Sequence, residues 1–297
     1  MQIQYVNIGG YRIRVAVWPG DTTSTPLLLM NGIGGNIELL RPLAERLSGT
    51  EMITFDVPGV GGSSSTLLPY RFSDLARLVS RLIVQLGYEQ VDVLGVSWGG
   101  LLAQQFAHSF PARCRRLILA ATSNGAFAVP GNPYALLMLA EAARHADPSY
   151  LAQHAGAIFG GVFRDNPEYV LSHIDEIMPP RTLGYLWQIL AATGWTSMHW
   201  LYMLRQPTLI MAGRDDPLVP AINARIMKSL IPDARLAILD CGHLFLMTQG
   251  ELVTPVVRDF LAGKLHHDID ASRDPASVQR FLRNRPSTQG AGTGADV

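Results

Sequence analysis

Val91-Asp92-Val93-Leu94-Gly95-Val96-Ser97-Trp98-Gly99-Gly100 is the stretch on which the reading of this chain turns. The run up to Val96 predicts a buried strand, Gly-x-Ser-x-Gly predicts a sharp turn, and residues 101–108 continue with helical spacing. Small residues on both sides of Ser97 let the backbone reverse tightly and hold a hydroxyl at the end of a sheet. A plainer role for Ser97 is to cap the helix that follows it. Which role applies depends on what the rest of the chain brings to the same place.

Residues 3–8 and 11–17 alternate apolar and polar side chains about Gly9-Gly10, which predicts a β-hairpin. Residues 26–30 and 52–55 are short apolar runs of the kind found in buried parallel strands. Residues 37–47 and 75–86 have helical spacing, and residues 117–121 predict a further strand. The alternation then stops. Residues 122–204 read as helices broken by Gly and Pro, and they hold Trp187, Trp195, Trp200, Phe127, Phe159 and Phe163. The rhythm resumes with strands at 207–211 and 235–239 and helices at 221–230 and 252–261. The pattern predicts an α/β fold whose mostly parallel sheet is flanked by helices, with residues 1–121 and 205–263 as its core. Residues 122–204 are expected to form a helical lid inserted over the strands' C-terminal edge. Residues 264–297 turn polar and Gly-rich and are expected to be disordered.

With 297 residues and 48% hydrophobic content, the chain can bury both faces of a sheet. Its formal net charge is zero and its basic residues are scattered, which argues against a nucleic-acid partner. Cys114 and Cys241 lack metal or redox spacing and are expected to pack as small apolar side chains. The first residues lack a charged segment followed by an apolar one, and no run of about 18 apolar residues predicts a transmembrane helix. The expected address is the cytoplasm. Gly32-Ile33-Gly34 lacks the third glycine of a dinucleotide fingerprint, and no Walker lysine follows a Gly-rich loop, so nucleotide binding is not expected.

A serine hydroxyl needs a base to become a nucleophile, and the base needs an orienting acid. After Ser97, the strand at 207–211 runs into Gly213-Arg214-Asp215-Asp216-Pro217-Leu218-Val219-Pro220. Two aspartates at a strand's C-terminal end offer the acid, and Asp216 is preferred because Gly-x-x-Asp-x-x-x-Pro fits it. The plainer alternative is that both cap the following helix. The strand at 235–239 ends in Asp240-Cys241-Gly242-His243, and His243 is the histidine downstream of Asp216 that sits at such a junction. His266 and His267 fall in the polar tail. Negative charge on a tetrahedral intermediate needs backbone donors. The N–H of Trp98 and that of Ile33, in Asn31-Gly32-Ile33-Gly34-Gly35-Asn36, are the expected pair. Asp56, in Asp56-Val57-Pro58-Gly59, is read as bonding its own turn rather than as a second acid.

Asn31 to Asn36, Phe55 to Ser63, Pro69-Tyr70-Arg71-Phe72, Gly95 to Gly100, Gly194-Trp195-Thr196-Ser197, Asp216-Pro217-Leu218 and Gly242 to Leu246 together resemble one family. They look like the intracellular depolymerases of medium-chain-length polyhydroxyalkanoates, which are serine α/β-hydrolases. The resemblance runs from about residue 3 to 262. It implies a granule-associated serine esterase that cleaves a stored 3-hydroxyalkanoate polyester without a cofactor or metal, with Ser97, Asp216 and His243 as its triad. Trp195 is expected to face the substrate from the lid. Arg214 departs from the acidic residue expected in its loop, and the tail lies outside the match.

Two other readings share these residues. One is an esterase, lactonase or carbon–carbon hydrolase acting on a small soluble molecule. The other is a non-catalytic granule-coat or receptor-like protein that keeps a hydrolase shell. No motif sets side-chain length, endo or exo attack, or oligomeric state.

Overall fold

A computed structural model describes residues 1–145, 148–171 and 182–283. Its centre is a sheet of β1 (Gln2–Ile8), β2 (Tyr11–Trp18), β3 (Leu27–Met30), β4 (Met52–Phe55), β5 (Val91–Val96), β6 (Cys114–Ala120), β7 (Thr208–Gly213), β8 (Ala234–Leu239) and β9 (Ile269–Asp270). The spatial order is β1-β2-β4-β3-β5-β6-β7-β8-β9. β1 and β2 form an antiparallel hairpin, β2 joins β4 antiparallel, and every later neighbour is parallel. The hairpin and the parallel strands β3 to β8 stand close to where the sequence predicts them, and β9 is a strand the sequence reading does not predict.

Successive side chains on a strand point to opposite faces, so the central strands feed two cores. Leu28, Met30, Val91, Val93, Leu117, Leu119, Ile210 and Ala212 face one side. Leu27, Leu29, Leu94, Val96, Ile118, Ala120, Leu209 and Met211 face the other. The first side is covered by α1 (Phe72–Gln85) and α2 (Trp98–Ser109), together with the helix Ile222–Leu230. In α1, Leu75, Leu78, Val79, Leu82 and Ile83 make the buried stripe, and Asp74 accepts from the Arg71 N–H to close the first turn. The helices Arg41–Arg46 and Gly250–Leu261 cover the second side. The helix expected over 37–47 divides into a 3-10 turn, Ile37–Leu40, and the α-helix Arg41–Arg46, with Pro42 in its first turn. Proline brings no N–H to that turn, so it suits a helix start better than a helix interior.

Between β6 and β7 lie α3 (Pro133–His145), α4 (Pro148–Phe159) and α5 (Thr182–Ala192), with shorter turns between them. Strand pairing among the described residues of this segment is confined to the isolated Gly125–Thr196 bridge. Ala135, Ala152, Ala155, Ile158, Phe159 and Phe163 form a small core that also takes in Leu218 from the loop after β7. Trp187, Trp195 and Trp200 pack instead against the core beneath α1 and α2.

The expectation of a disordered tail from residue 264 is corrected over residues 264–283. Leu265, Ile269 and Ala271 are buried, β9 pairs in parallel with β8, and Ala276–Arg283 is helical. Asp270 is held by Arg225 (2.9 Å), so a few apolar contacts and an ion pair order a polar segment. Residues 284–297 lie outside the described residues.

Candidate active site

Ser97 joins β5 to α2 with φ 53° and ψ −119°, backbone angles costing an L-residue on the order of 1–3 kcal/mol. Three bonds hold this conformation: Ser97 N–H donates to Ala120 O (2.9 Å), and Ser97 O accepts from Gly100 N–H (2.9 Å) and Thr122 Oγ1–H (2.7 Å). The flanking glycines answer to close approach. A Cβ on Gly95 would lie 2.3 Å from Gly99 O, and one on Gly99 would lie 2.2 Å from Met30 O and 2.4 Å from Asn31 O. The Ser97 side chain makes no capping bond to α2, which removes the plainer role for it. Strain spent on a hydroxyl that does not cap the helix points to chemistry at that hydroxyl.

Asp216 and His243 come together although they sit on different strand ends. His243 Nδ1 donates to Asp216 Oδ2 at 2.7 Å, with both side chains almost wholly buried. The second oxygen, Oδ1, accepts from Leu218 N–H and Val219 N–H, each at 2.9 Å. The carboxylate therefore organises its own turn and orients the imidazole at once. Asp215 points elsewhere. Its carboxylate takes Arg164 Nε (2.6 Å), Arg164 Nη2 (2.7 Å) and Gly161 N–H (2.7 Å), and the Arg164 guanidinium holds it below the ordinary carboxylate range. Arg214, the departure noted in this loop, pairs with Asp240 at 2.7 Å on the exposed side.

The loop Asn31 to Asn36 lies beside the elbow, since a Cβ on Gly32 would meet Ser97 Cβ at 3.6 Å. Gly35 N–H donates to Gly32 O (3.1 Å), Asn31 Nδ2 to Asn36 O (2.6 Å), and Asn36 Oδ1 accepts from Glu38 N–H (3.1 Å). Trp98 opens α2, so its N–H is among those a helix leaves without an intrahelical partner. Gly32, next to Ile33, and Trp98 line one small pocket, together with Asn31, Leu102 and Gln188 among others.

The segment between β6 and β7 grips this machinery at two places. His243 N–H donates to Phe159 O at 2.7 Å. Gly160, Gly161 and Gly242 permit that contact: a Cβ would lie 2.0 Å from Asp215 O, 2.3 Å from Gly242 N and 2.2 Å from Phe159 O, respectively. At the other place Gln188 Oε1 accepts from Gly34 N–H (2.9 Å) and Gln188 O from Trp98 Nε1–H (2.8 Å). Sequence reading missed Gln188, Phe159 and Thr122. The available signal for Gln188 was one amide side chain in the otherwise apolar stretch Leu183 to Ala192.

Trp195 does not line that pocket. Its ring packs 5.1 Å from Phe72 and 5.9 Å from Trp200, and its Nε1–H donates to Gln105 Oε1 at 2.9 Å. These contacts give a substrate-facing role no support. The neighbouring Ser197 donates to Gln104 (2.6 Å), which in turn donates to Gly100 O (3.0 Å), so Gly194 to Ser197 anchors the segment onto α2.

Asp56 is a structural turn residue, accepting from Ile37 N–H (2.9 Å) and Gly62 N–H (2.8 Å) beside Arg14. Cys114 and Cys241 are free and buried, and burial pushes both thiols up. Among the described residues no three His, Cys, Asp or Glu side chains gather to hold a metal ion, and no helix is long and apolar enough to cross a membrane.

A sheet of this order, a strained serine elbow and an aspartate–histidine pair at later strand ends define a class: the chain belongs to the alpha/beta hydrolase fold family, whose model matches residues 25–249. Within that class its family is that of a poly(3-hydroxyalkanoate) depolymerase from Ectopseudomonas oleovorans, 51% identical over 257 residues, which are 86% of this chain and 91% of that protein. The resemblance read from the motifs is thereby borne out. Among solved structures, the enol-lactonase from Burkholderia xenovorans LB400 superposes with TM-score 0.74 at 22% identity, covering 87% of this chain and all of that one. A thermophilic esterase from Thermogutta terrifontis gives TM-score 0.72 at 25% identity, covering 90% of this chain and all of that one.

Proposed function

We propose that this chain is a serine carboxylic-ester hydrolase that cleaves medium-chain-length poly(3-hydroxyalkanoate) to 3-hydroxy acids or oligomers. The observation that carries the chemistry is the 2.7 Å His243–Asp216 bond on the same sheet edge as the strained Ser97. The polyester rests on the 51% identical depolymerase.

In this reading Ser97 Oγ attacks the ester carbonyl carbon while His243 Nε2 takes the hydroxyl proton. The carbonyl electron pair moves to oxygen, and the N–H groups of Ile33 and Trp98 stabilise that charge. His243 returns the proton to the departing alkoxide, releasing a hydroxyl-ended chain and leaving an acyl-Ser97. Water, deprotonated by His243, attacks the acyl carbon; the bond to Ser97 Oγ then breaks, His243 returns the proton to that oxygen, and the carboxylic acid leaves. Asp216 holds the imidazole in the tautomer both steps need. Neither step calls for a cofactor.

Residues 122–204 are the lid in this reading. Leu183, Leu186 and Leu190 are exposed along one stripe of α5, with Leu137, Phe127, Leu67 and Leu68 exposed elsewhere. Such an apolar surface suits contact with a water-insoluble polymer at a cytoplasmic storage granule. The deciding assay compares release of 3-hydroxy acids from emulsified medium-chain polymer with hydrolysis of a short soluble ester. Turnover of both, abolished by Ser97→Ala, is the expected result. Turnover of the soluble ester alone would favour a small-molecule esterase on this fold.

A further inference from the structure

The Asn31 to Asn36 loop is closed on itself by Gly35 N–H to Gly32 O (3.1 Å) and Asn31 Nδ2 to Asn36 O (2.6 Å), while Gly34 N–H bonds outside it. Gly34 lies at φ +72°, Gly32 and Gly35 flank Ile33 and Gly34, and Ile33 is only partly buried. Yet the loop must present the Ile33 N–H within a few tenths of an ångström of its useful position for charge stabilisation to be effective. A further restraint, next to Ile33 itself, comes from elsewhere in the chain. Gln188 is 1% exposed, and its two carbonyls divide their bonds between the two sides of the pocket. The side-chain oxygen accepts from Gly34 N–H, one residue beyond Ile33, at 2.9 Å. The backbone oxygen accepts from the indole of Trp98, the residue after the nucleophile, at 2.8 Å. A buried carboxamide oxygen without a donor is costly, so the bond to Gly34 is favoured over a free arrangement.

We infer that Gln188 is a positioning residue that sets the spacing of the two oxyanion donors, so that α5 is part of the reaction machinery as well as a cover. This rests on the reading of Ile33 and Trp98 as those donors. Gln188 touches no reacting atom in this scheme and acts through Gly34 and Trp98. Losing a direct donor costs roughly 10²- to 10³-fold in kcat, and losing one bond behind a donor is expected to cost about 10-fold.

The experiment uses the full-length protein with Gln188→Met, which keeps length and apolar packing but loses the amide oxygen. Two quantities are read with a short soluble ester, each normalised to serines titrated by a fluorophosphonate: kcat with KM, and the affinity of a trifluoromethyl ketone. That ketone adds Ser97 Oγ to its carbonyl carbon, passes the hydroxyl proton to His243 and leaves a negative oxygen in the hole. A kcat about 10-fold lower, KM within about twofold and ketone affinity falling in parallel are expected. Unchanged kcat and ketone affinity per titrated serine, or a change in KM alone, would overturn the inference. If Gln188→Met does not fold, Trp98→Phe decides instead, since it removes the indole donor while keeping the backbone N–H and a ring against Phe72. It is expected to show the same parallel fall, and its absence counts against the inference. Ser97→Ala separates the underlying reading: activity surviving in that variant would remove the hydrolytic scheme itself, independently of Gln188.

Discussion

His243 and Asp216 are joined by a 2.7 Å bond although they lie 27 residues apart, with the helix Ile222–Leu230 and the strand β8 between them. Asp215, one residue closer to β7, is turned toward Arg164 on the segment between β6 and β7. The two adjacent carboxylates therefore do different work. Asp216 orients an imidazole, and Asp215 ties one part of the chain to another.

Asp216→Asn is expected to lower kcat/KM at least about tenfold more than Asp215→Asn, because an amide no longer selects the imidazole tautomer. Steady-state kinetics on a short ester would check this, and equal losses would reassign the acid.

The Asp215–Arg164 bond also predicts a pH dependence of stability. Arg164 holds the Asp215 carboxyl below its ordinary value, so the bond contributes above the unfolded-state value of about 3.9 and is lost as pH falls through the lower folded value. The pair is half exposed, so the effect is small. The melting temperature of Asp215→Asn is expected to lie below that of the unmodified chain at pH 7, with the gap closing only below about pH 4. A gap independent of pH would show that the carboxylate's charge contributes nothing.

At the nucleophile, Ser97→Ala should lower kcat by about four orders of magnitude with folding retained. Ser97→Gly should be as inactive yet more stable, by up to about 1–3 kcal/mol, because glycine accepts φ 53° without penalty. Chemical denaturation of the two variants would compare them, and an equal midpoint would mean the elbow stores no strain.

Gly99→Ala is expected to fail structurally before it fails catalytically. Its Cβ would fall 2.2 Å from Met30 O, a backbone atom of β3 that cannot move aside. A loss of more than about 3 kcal/mol, read as insolubility or a sharply lower melting temperature, is anticipated.

Trp195→Ala is expected to reduce polymer and soluble-ester turnover alike, with a destabilisation of about 3 kcal/mol. The ring sits between Phe72 and Trp200 and is bonded to Gln105. A selective loss on polymer at unchanged melting temperature would restore the substrate-facing role.

Local pattern carried much of this protein. Strands at Met52–Phe55 and Val91–Val96 were legible because each is a short, mostly apolar run of the kind that buries both faces of a sheet. Only Thr54 breaks the first run, and Asp92 and Gly95 the second. The serine elbow was legible because its glycines lie within two residues of the side chain they serve. Asp216 and His243 were legible because each ends a strand, and all such ends in a parallel sheet gather on one edge.

Contacts across long stretches of chain were not legible in the same way. That Asp216 rather than Asp215 reaches His243 was a preference from spacing, and the side-chain direction after β7 settles which carboxylate makes the bond. Ordering of residues 264–283 escaped because a polar segment is held by one edge pairing and a few buried side chains, which leave no periodicity. Trp195 read as substrate-facing because an aromatic residue carries the same letter whether it meets a ligand or a neighbouring helix. Gln188 bonds Gly34 across 154 residues, and no spacing rule links them. The sequence alone therefore determined the strands up to β8, the elbow and the order of the chemistry-bearing residues, since those depend on neighbours a few residues away. The tertiary structure alone decided which carboxylate bonds His243, which amide bonds Gly34 and what Trp195 packs against, because those contacts form only when distant segments pack together.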